Sequence, residues 1–461
     1  MKSINPMRRS LVVMSIITSG IIFLTIHACS IDPQVYGEWY NEEEYYAGGE
    51  TTIFEATSGA FSTPAPNLSP LQLEKHLSGD MEFEATFVTA PSPVNAGLGP
   101  VFNQTSCVGC HTLDGRGDKP TVFRISTPGT DAHGGPLGVA GFGGAIQDKA
   151  IFDVAPEAMV DISYVESTYS FPDGETYSLR KPIYTIINNY APLPSDVALS
   201  VRVAPPVFGL GLLEIIPEEA IIALADEQDA DKNGISGKAN YVYDVRTGLM
   251  ALGRFGWKAN QPNLDQQNAA AFNEDMGITN PIFQTESCFG QLQFDGITDE
   301  PEITMPVLED VTFYVRTLAV PAPRNLEDAN IQEGKMYFYK AGCNTCHNPS
   351  FTTGIAINAP ELSNQKIYPY TDMLLHDMGD AMGDGRQDYL ATGNEWKTRP
   401  LWGIGLTQLA NGHTVFLHDG RARNLTEAIM WHGGEAEAST EYFASLTKEQ
   451  RDKLLEFLMA L

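Results

Sequence analysis

Two short cysteine motifs constrain this chain more than any other feature of its sequence. Each has two cysteines separated by two residues, with a histidine directly after the second. The motif residues are Cys107, Cys110 and His111 in the first half, and Cys343, Cys346 and His347 in the second. With 6 Cys and 9 His in 461 residues, chance gives roughly 0.0015 such matches per chain. The spacing lets two thiols add to the vinyl groups of one haem while the histidine binds the iron. We therefore predict two covalently bound haem c groups, with His111 and His347 as axial ligands.

The other cysteines do not favour a different use of the motifs. A zinc site at either motif would need further ligands nearby, and only Cys29 and Cys288 remain. Cys288 has no predicted disulfide partner and is expected to be a buried thiol.

The first 29 residues have the pattern of an export signal. Three basic residues precede an apolar run from Leu11 to Ile26, and Cys29 directly follows Ala28. This pattern predicts a lipoprotein-type signal peptide over residues 1–29 and lipidation of Cys29. The mature protein would then be tethered to the outer membrane on its periplasmic side. A retained membrane anchor, or an ordinary signal with a chance cysteine, would give a similar pattern.

The charge of the chain is strongly acidic. It has 29 Lys and Arg against 58 Asp and Glu, a net charge of -29. Such a surface repels nucleic acid and anionic lipid headgroups, so we expect no nucleic-acid partner. It would attract a small basic redox protein as electron donor, although acidity also simply keeps exported proteins soluble.

The pattern along the chain predicts a tether, two haem domains and a linker. Residues 30–70 show no sustained periodicity and are expected to form the tether. An N-terminal haem domain with insertions is predicted over 71–320, and a C-terminal cytochrome c domain over 325–461, joined by the proline-rich segment 320–323. An amphipathic helix is predicted over 446–461, opened by a capping pair of Thr447 and Gln450. The predicted class is mainly α: two cytochrome-c-like domains with irregular insertions and a few short strands.

A separate acidic segment has the residue spacing of a calcium-binding loop. Asp229, Asp231 and Asn233 alternate before a glycine, as oxygen ligands do in such loops. The twelfth position, where an acidic residue is expected, is Asn240. Calcium binding and an acidic turn without an ion are both consistent with this segment.

The segment after His418 resembles the C-terminal part of bacterial di-haem cytochrome c peroxidases and MauG enzymes. In those families a His-Asp-Gly turn leads into a helix, and the residue fourteen positions after that histidine is the distal ligand of the C-terminal haem. Here that position is His432, where the families have Met or Tyr. The resemblance therefore implies a second haem held by His347 and His432. Alternatively, His432 caps the preceding helix.

Gln147 and Glu157 resemble the peroxide pocket of the same families, where a Gln and a Glu ten residues apart line the N-terminal haem. The resemblance implies that Glu157 is the acid/base for cleavage of the O–O bond and that Gln147 orients peroxide. Alternatively, residues 156–158 only begin a helix.

Two positions depart from the pattern of these families, since a proline is replaced by Ile151 and the tryptophan between the haems by Leu137. Three other tryptophans are either electron-path candidates or core residues: Trp257, Trp402 and Trp431.

Five further segments resemble the bacterial di-haem oxidoreductase family, whose members are often labelled thiol oxidoreductases. They are residues 211–214, 253–259, 275–279, 375–379 and 417–438. The resemblance covers the chain from about residue 71 to its end. It implies a peroxidase-like enzyme in which the second haem feeds electrons to a first haem open to peroxide. A non-enzymatic electron-transfer cytochrome, or a MauG-like oxidant of a protein or metal partner in iron handling, are the alternatives.

Overall fold

A computed structural model describes residues 39–296 and 301–461. Its α-helices are Pro70–Glu84, Leu210–Glu214, Glu218–Ile222, Leu264–Met276, Met305–Thr317, Ala329–Lys340, Thr407–Asn411, Leu425–Met430, Glu437–Ser445 and Lys448–Ala460. Its strands are Thr52–Ile53, Val101–Phe102, Pro120–Thr130, Pro136–Leu137, Ala145–Ile146, Lys149–Ala150, Met159–Ser170, Thr176–Ile187, Ala198–Val203, Tyr241–Asp244, Leu249–Leu252, Val320–Pro321, Phe351–Thr352, Lys366–Ile367, Leu375–Asp377 and Glu395–Lys397. The predicted signal peptide and Cys29 lie outside the described residues. Among the helices that are described, none is long and apolar enough to span a bilayer.

The fold mixes helix and strand, so the predicted mainly α class is only partly confirmed. Helix accounts for 28% and strand for 20% of the structure. The long strand Pro120–Thr130 pairs with Ala198–Val203 and with two short strands. Met159–Ser170 and Thr176–Ile187 form an antiparallel hairpin in register throughout. Most of the hairpin is exposed, so its side chains do not alternate between a buried apolar face and an exposed polar face. The sequence therefore carries little of the period-two hydrophobic pattern that predicts strands. No helix begins at residues 156–158, which lead instead into this hairpin.

The tip of this hairpin reaches the C-terminal part of the chain. The guanidinium of the buried Arg451 donates to Asp173 at 2.7 Å and to Glu175 at 2.8 Å. Further along the hairpin, the Tyr184 hydroxyl donates to Asp419 at 2.6 Å. An insertion of the N-terminal half therefore packs on the half that carries the second motif.

The predicted tether is not an extended chain over residues 39–70. Thr52–Ile53 pairs in parallel with Val320–Pro321, within the predicted linker. Phe61 stacks on Phe208 with ring centroids 4.3 Å apart, and the buried Glu44 accepts a hydrogen bond from Lys335 at 2.6 Å. This segment therefore contacts both halves, because its aromatic and charged side chains find partners far away in sequence.

Two helix pairs flank the two motifs. Pro70–Glu84 packs against Met305–Thr317, and Ala329–Lys340 packs against Lys448–Ala460. In each pair the first helix precedes a motif and the second ends the corresponding half. The predicted C-terminal helix is confirmed, including its Thr447–Gln450 capping box.

A glycine lies at the crossing of each helix pair. A Cβ added to Gly79 would lie 2.0 Å from the carbonyl oxygen of Asp310, and one on Gly334 would lie 1.9 Å from that of Lys453. No other residue fits so close to a neighbouring backbone. The two halves thus repeat one packing solution around their motifs, although a cytochrome c fold for each half stays a prediction.

Candidate haem sites

The two motifs adopt the same local turn. The backbone N–H of His111 donates to the carbonyl of Cys107, and that of His347 donates to Cys343, both at 2.9 Å. None of the four motif cysteines is in a disulfide. The turn holds both sulfurs and the imidazole of each motif within a few residues, as attachment to one porphyrin requires.

Each motif histidine is oriented by a backbone carbonyl. Nδ1 of His111 lies 2.8 Å from the Pro205 oxygen, and Nδ1 of His347 lies 2.9 Å from the Tyr370 oxygen. Burial lowers the pKa of both histidines to about 4, so both are neutral at pH 7. A neutral imidazole whose Nδ1–H is fixed by a carbonyl presents Nε2 to a metal. The histidines therefore fit the role of haem ligands.

The helix before each motif contributes a phenylalanine beside the motif histidine. The ring centroids of Phe83 and His111 are 6.2 Å apart, and those of Phe338 and His347 are 6.3 Å apart. Each phenylalanine lies one helical turn after the crossing glycine. Burial raises the pKa of Cys107 and of Cys343 to about 12, which disfavours the thiolates that a zinc site would need.

An apolar cavity of about 250 Å³ adjoins the second motif. Its lining includes the motif and the side chains that could serve as a second ligand: Cys343, Cys346, His347, Met378, Met382 and His432. The structure thus places the predicted pair, His347 and His432, on one cavity.

His432 fits both interpretations of its position. Its Nδ1 lies 2.7 Å from the carbonyl oxygen of Ala428, in the last turn of the helix Leu425–Met430. It therefore caps the helix through one ring nitrogen, while Nε2 has no hydrogen-bond partner in the described chain. Burial lowers its pKa, which keeps the imidazole neutral and able to bind a metal.

The two other histidines on this cavity are engaged elsewhere. His376 lies 2.7 Å from Asp372 through Nε2 and 2.7 Å from Glu435 through Nδ1. Although burial opposes it, these contacts raise the pKa of His376 well above its usual value, so neither nitrogen is free for iron. His418 stacks on Trp396 with ring centroids 3.7 Å apart. Both side chains support the cavity wall.

Gln147 and Glu157 lie directly against each other. The Gln147 backbone N–H donates to Glu157 Oε2 at 2.7 Å, and the Glu157 N–H donates to the Gln147 carbonyl at 3.0 Å. Glu157 is 0% exposed, and its Oε1 has no hydrogen-bond partner in the described structure. Burial raises its pKa to about 8, although the Gln147 and Gln291 amides oppose this. Glu157 is therefore a buried carboxyl group that keeps its proton at neutral pH.

One contact connects this pair to the first motif. Gln147 Nε2 donates to the carbonyl of Glu274 at 2.5 Å. Burial is the main cause of the raised pKa of Cys107 and Cys110, and the charge of the next residue, Asp275, adds to it. Glu157 thus lies in the part of the structure that carries the first motif, and its position on the peroxide side of a haem there stays a prediction.

A polar segment that the sequence did not single out lies near Glu157. Four of its side-chain atoms are buried without hydrogen-bond partners in the described structure: Ser287 Oγ, Gln291 Oε1, Gln293 Oε1 and Gln293 Nε2. Cys288 is buried, as predicted, and its Sγ lies 3.3 Å from Glu286 Oε2. The sequence offers little indication of this polar segment, because glutamines in a loop are usually exposed, and only the structure shows that these are buried.

The predicted calcium loop brings three carboxylates together. Ligand oxygens of Asp226, Asp229 and Asp231 lie within 4.8 Å of one another. Asp226 was missed from the sequence because it precedes the repeating pattern. The Asn233 side chain instead bonds within the turn, to Asp231 at 2.9 Å and to the Ile235 N–H at 2.7 Å. Calcium binding at this loop stays a prediction.

Comparisons with known proteins identify a family. The sequence matches the family described as "Di-haem oxidoreductase, putative peroxidase" over residues 40–130 and 125–461. Hydrazine synthase of Kuenenia stuttgartiensis is similar at 14% identity, covering 98% of this chain and 100% of that chain, with a TM-score of 0.34. A MauG-like protein associated with microbial copper homeostasis is 16% identical, covering 55% of this chain and 89% of that chain, with a TM-score of 0.28. No curated protein matches.

The family match and the geometry of the motifs agree. The match includes both motifs, the Gln147–Glu157 pair and His432, and each motif histidine is held ready to bind iron. This chain belongs to the di-haem oxidoreductase family.

Proposed function

We propose that this protein is an exported di-haem c oxidoreductase that reduces hydrogen peroxide with electrons from a small basic redox protein. Both haems are attached through the cysteines of their motifs. The haem at the second motif receives and stores electrons, and the haem at the first motif faces peroxide. The acidic surface of the chain would attract a basic donor at low salt.

The protonated, buried Glu157 carries this proposal. Reduction of one hydrogen peroxide consumes two electrons and two protons and yields two waters. Haem iron, when bound, supplies the electrons and a coordination site. Because Glu157 Oε2 accepts a hydrogen bond from the Gln147 N–H and Oε1 has no partner in the described structure, we assign the proton to Oε1. From there it can pass to the departing peroxide oxygen, as a positioned general acid does.

Two imidazoles on one cavity suit the second haem for electron transfer. A haem held by two strong ligands has no position left for peroxide. Bis-histidine ligation also gives a lower potential than ligation by histidine and methionine. His347 and His432 therefore fit the electron-storing role.

The rival function is a non-enzymatic electron-transfer cytochrome in which the first haem is also closed. The two functions differ in the spectrum of the ferric protein and in turnover. We expect a high-spin charge-transfer band from the first haem and peroxide turnover with at least one of several electron donors. A fully low-spin spectrum without peroxide turnover would show that the protein is the electron-transfer cytochrome instead.

The variant His432→Ala tests the second haem. Removing the imidazole should open one axial position, so that the low-spin signal of this haem is lost or becomes exchangeable with added cyanide. Electronic and paramagnetic resonance spectra of the ferric protein would show this.

His418→Ala is the matched control, because His418 lines the same cavity but stacks on Trp396. It should keep the low-spin signal. If His432→Ala also keeps it, the ligand is another side chain of the cavity, and Met378 would be tested next.

The proposal includes a lipid anchor at Cys29. Cys29→Ser should move the protein from the membrane fraction to the soluble periplasmic fraction with both haems intact. Cell fractionation followed by haem-stained gels measures this. Equal membrane retention of the variant would point to an uncleaved anchor within residues 11–26.

A further inference from the structure

Three cationic side chains converge on the wall of the cavity beside the second motif. They are Arg116, Lys397 and Arg399. Arg116 is 8% exposed and Lys397 is 3% exposed. Trp257 lies between the two guanidinium groups, with its ring centroid 5.3 Å from Arg116 and 5.1 Å from Arg399.

These cations form no ion pair with a carboxylate in the described structure. Arg116 donates to the carbonyl of Leu417, and its Nε has no partner. No hydrogen bond or ion pair is made by the Lys397 or Arg399 side chains to the residues described. Burial lowers the pKa of Arg116 to about 9 and of Arg399 to about 10, and it lowers that of Lys397 well below its usual value. A buried cation without an anion is unfavourable, so this cluster is incomplete as it stands.

The nearby buried carboxylates are already bound by other groups. Asp372 interacts with His376 at 2.7 Å. Asp419 interacts with Arg421 at 2.7 Å and accepts a hydrogen bond from Tyr184 at 2.6 Å. Asp419 and Asp372 partly offset the effect of burial on the pKa of Arg116 and of Lys397, but neither forms an ion pair with the cluster. An anion bound beside the cluster would add the charge that these two carboxylates supply only in part.

The cluster lies between the two haem motifs. Arg116 lies five residues after His111 in the sequence, and both Arg116 and Arg399 line the cavity of His347. We propose that Arg116, Lys397 and Arg399 bind haem propionate carboxylates between the two haem sites. Guanidinium groups hold carboxylates through two parallel hydrogen bonds, and a carboxylate beside Lys397 would favour its charged ammonium form. This inference rests on haem binding as part of the proposed function.

The test uses the haem-loaded protein and the single variants Lys397→Met and Arg399→Gln. Loss of a cation leaves a propionate charge uncompensated, which favours the ferric haem. The midpoint potential of at least one haem should therefore shift in the negative direction, while haem-stained gels show two haems. Lys448→Met, at an exposed lysine paired with Asp452, is the control and should leave both potentials unchanged. Unchanged potentials in both test variants would overturn the proposal.

Arg399→Lys covers the case in which the neutral variants fail to fold or to load haem. It keeps the charge but loses the paired hydrogen bonds, so the propionate bending bands in the resonance Raman spectrum should shift. If these bands and both potentials are the same as in the wild type, the proposal is wrong.

A free anion could also supply the missing charge. Titration of the wild type with sodium acetate and with inorganic phosphate distinguishes this source. We expect no saturable change in the haem spectra, because propionates already occupy the cations. A saturable change that disappears in Lys397→Met would assign the cluster to a free anion and overturn the propionate assignment. Potentials and spectra can be measured whether or not peroxide is reduced, so failure here is separable from failure of the peroxidase proposal.

Discussion

Replacing Glu157 with glutamine is expected to slow the reaction with hydrogen peroxide by about 10²–10⁴-fold, the usual cost of losing a general acid or base. Glutamine preserves the shape of the side chain but has no carboxyl proton to deliver. Stopped-flow mixing of the protein with peroxide measures the rate. Cyanide binding at the first haem, the number of haems and the spectrum of the second haem should all be retained.

Gln147→Ala provides a graded comparison, because the proposed role of Gln147 is to orient peroxide and includes no proton transfer. Its effect on the rate should be smaller than that of Glu157→Gln. Wild-type kinetics in Glu157→Gln would remove the assigned acid/base and favour the electron-transfer cytochrome. The alternative role as the first turn of a helix is already wrong, since no helix begins there.

The pH dependence of stability gives an independent measure of the Glu157 proton. Burial raises its pKa from 4.5 to about 8, so the folded state keeps a proton that the unfolded state loses. The free energy of unfolding contributed by this group is therefore fully present below pH 4.5 and falls as the pH rises towards about 8. Thermal melts should show Glu157→Gln gaining stability relative to the wild type across this range. A constant difference would mean that Glu157 is ionised throughout.

Replacing Cys343 and Cys346 together with alanine is expected to leave one covalent haem per chain. Both thioether links of the second haem are lost, while Cys107 and Cys110 still hold the first. Mass spectrometry of the denatured protein should therefore show one haem fewer than in the wild type. Haem-stained denaturing gels should show a weaker band.

Cys288→Ala is the matched control, because it removes a buried cysteine outside both motifs. It should leave two covalent haems. An unchanged haem mass in the double variant would mean that the second motif does not attach haem.

What the sequence determined about this protein is local. Each haem motif lies within five residues, so its turn and its histidine are set by neighbouring atoms. The same holds for the Thr447 capping box and for the pairing of Gln147 with Glu157, which are ten residues apart. His432 came instead from the resemblance to the di-haem peroxidases, and the structure places it on the cavity of the second motif.

The tertiary structure decided everything that depends on burial or on distant contacts. Residues 39–70 have no periodicity, yet Phe61 and Glu44 pack in the interior because their partners lie in other parts of the chain. The cluster of Arg116, Lys397 and Arg399 could not be predicted, since no local pattern shows that a cation is buried without forming an ion pair. The raised pKa of Glu157 has the same origin. Local geometry fixes which groups a segment presents, whereas desolvation and pairing, which set their charge and reactivity, depend on what the rest of the chain places around them.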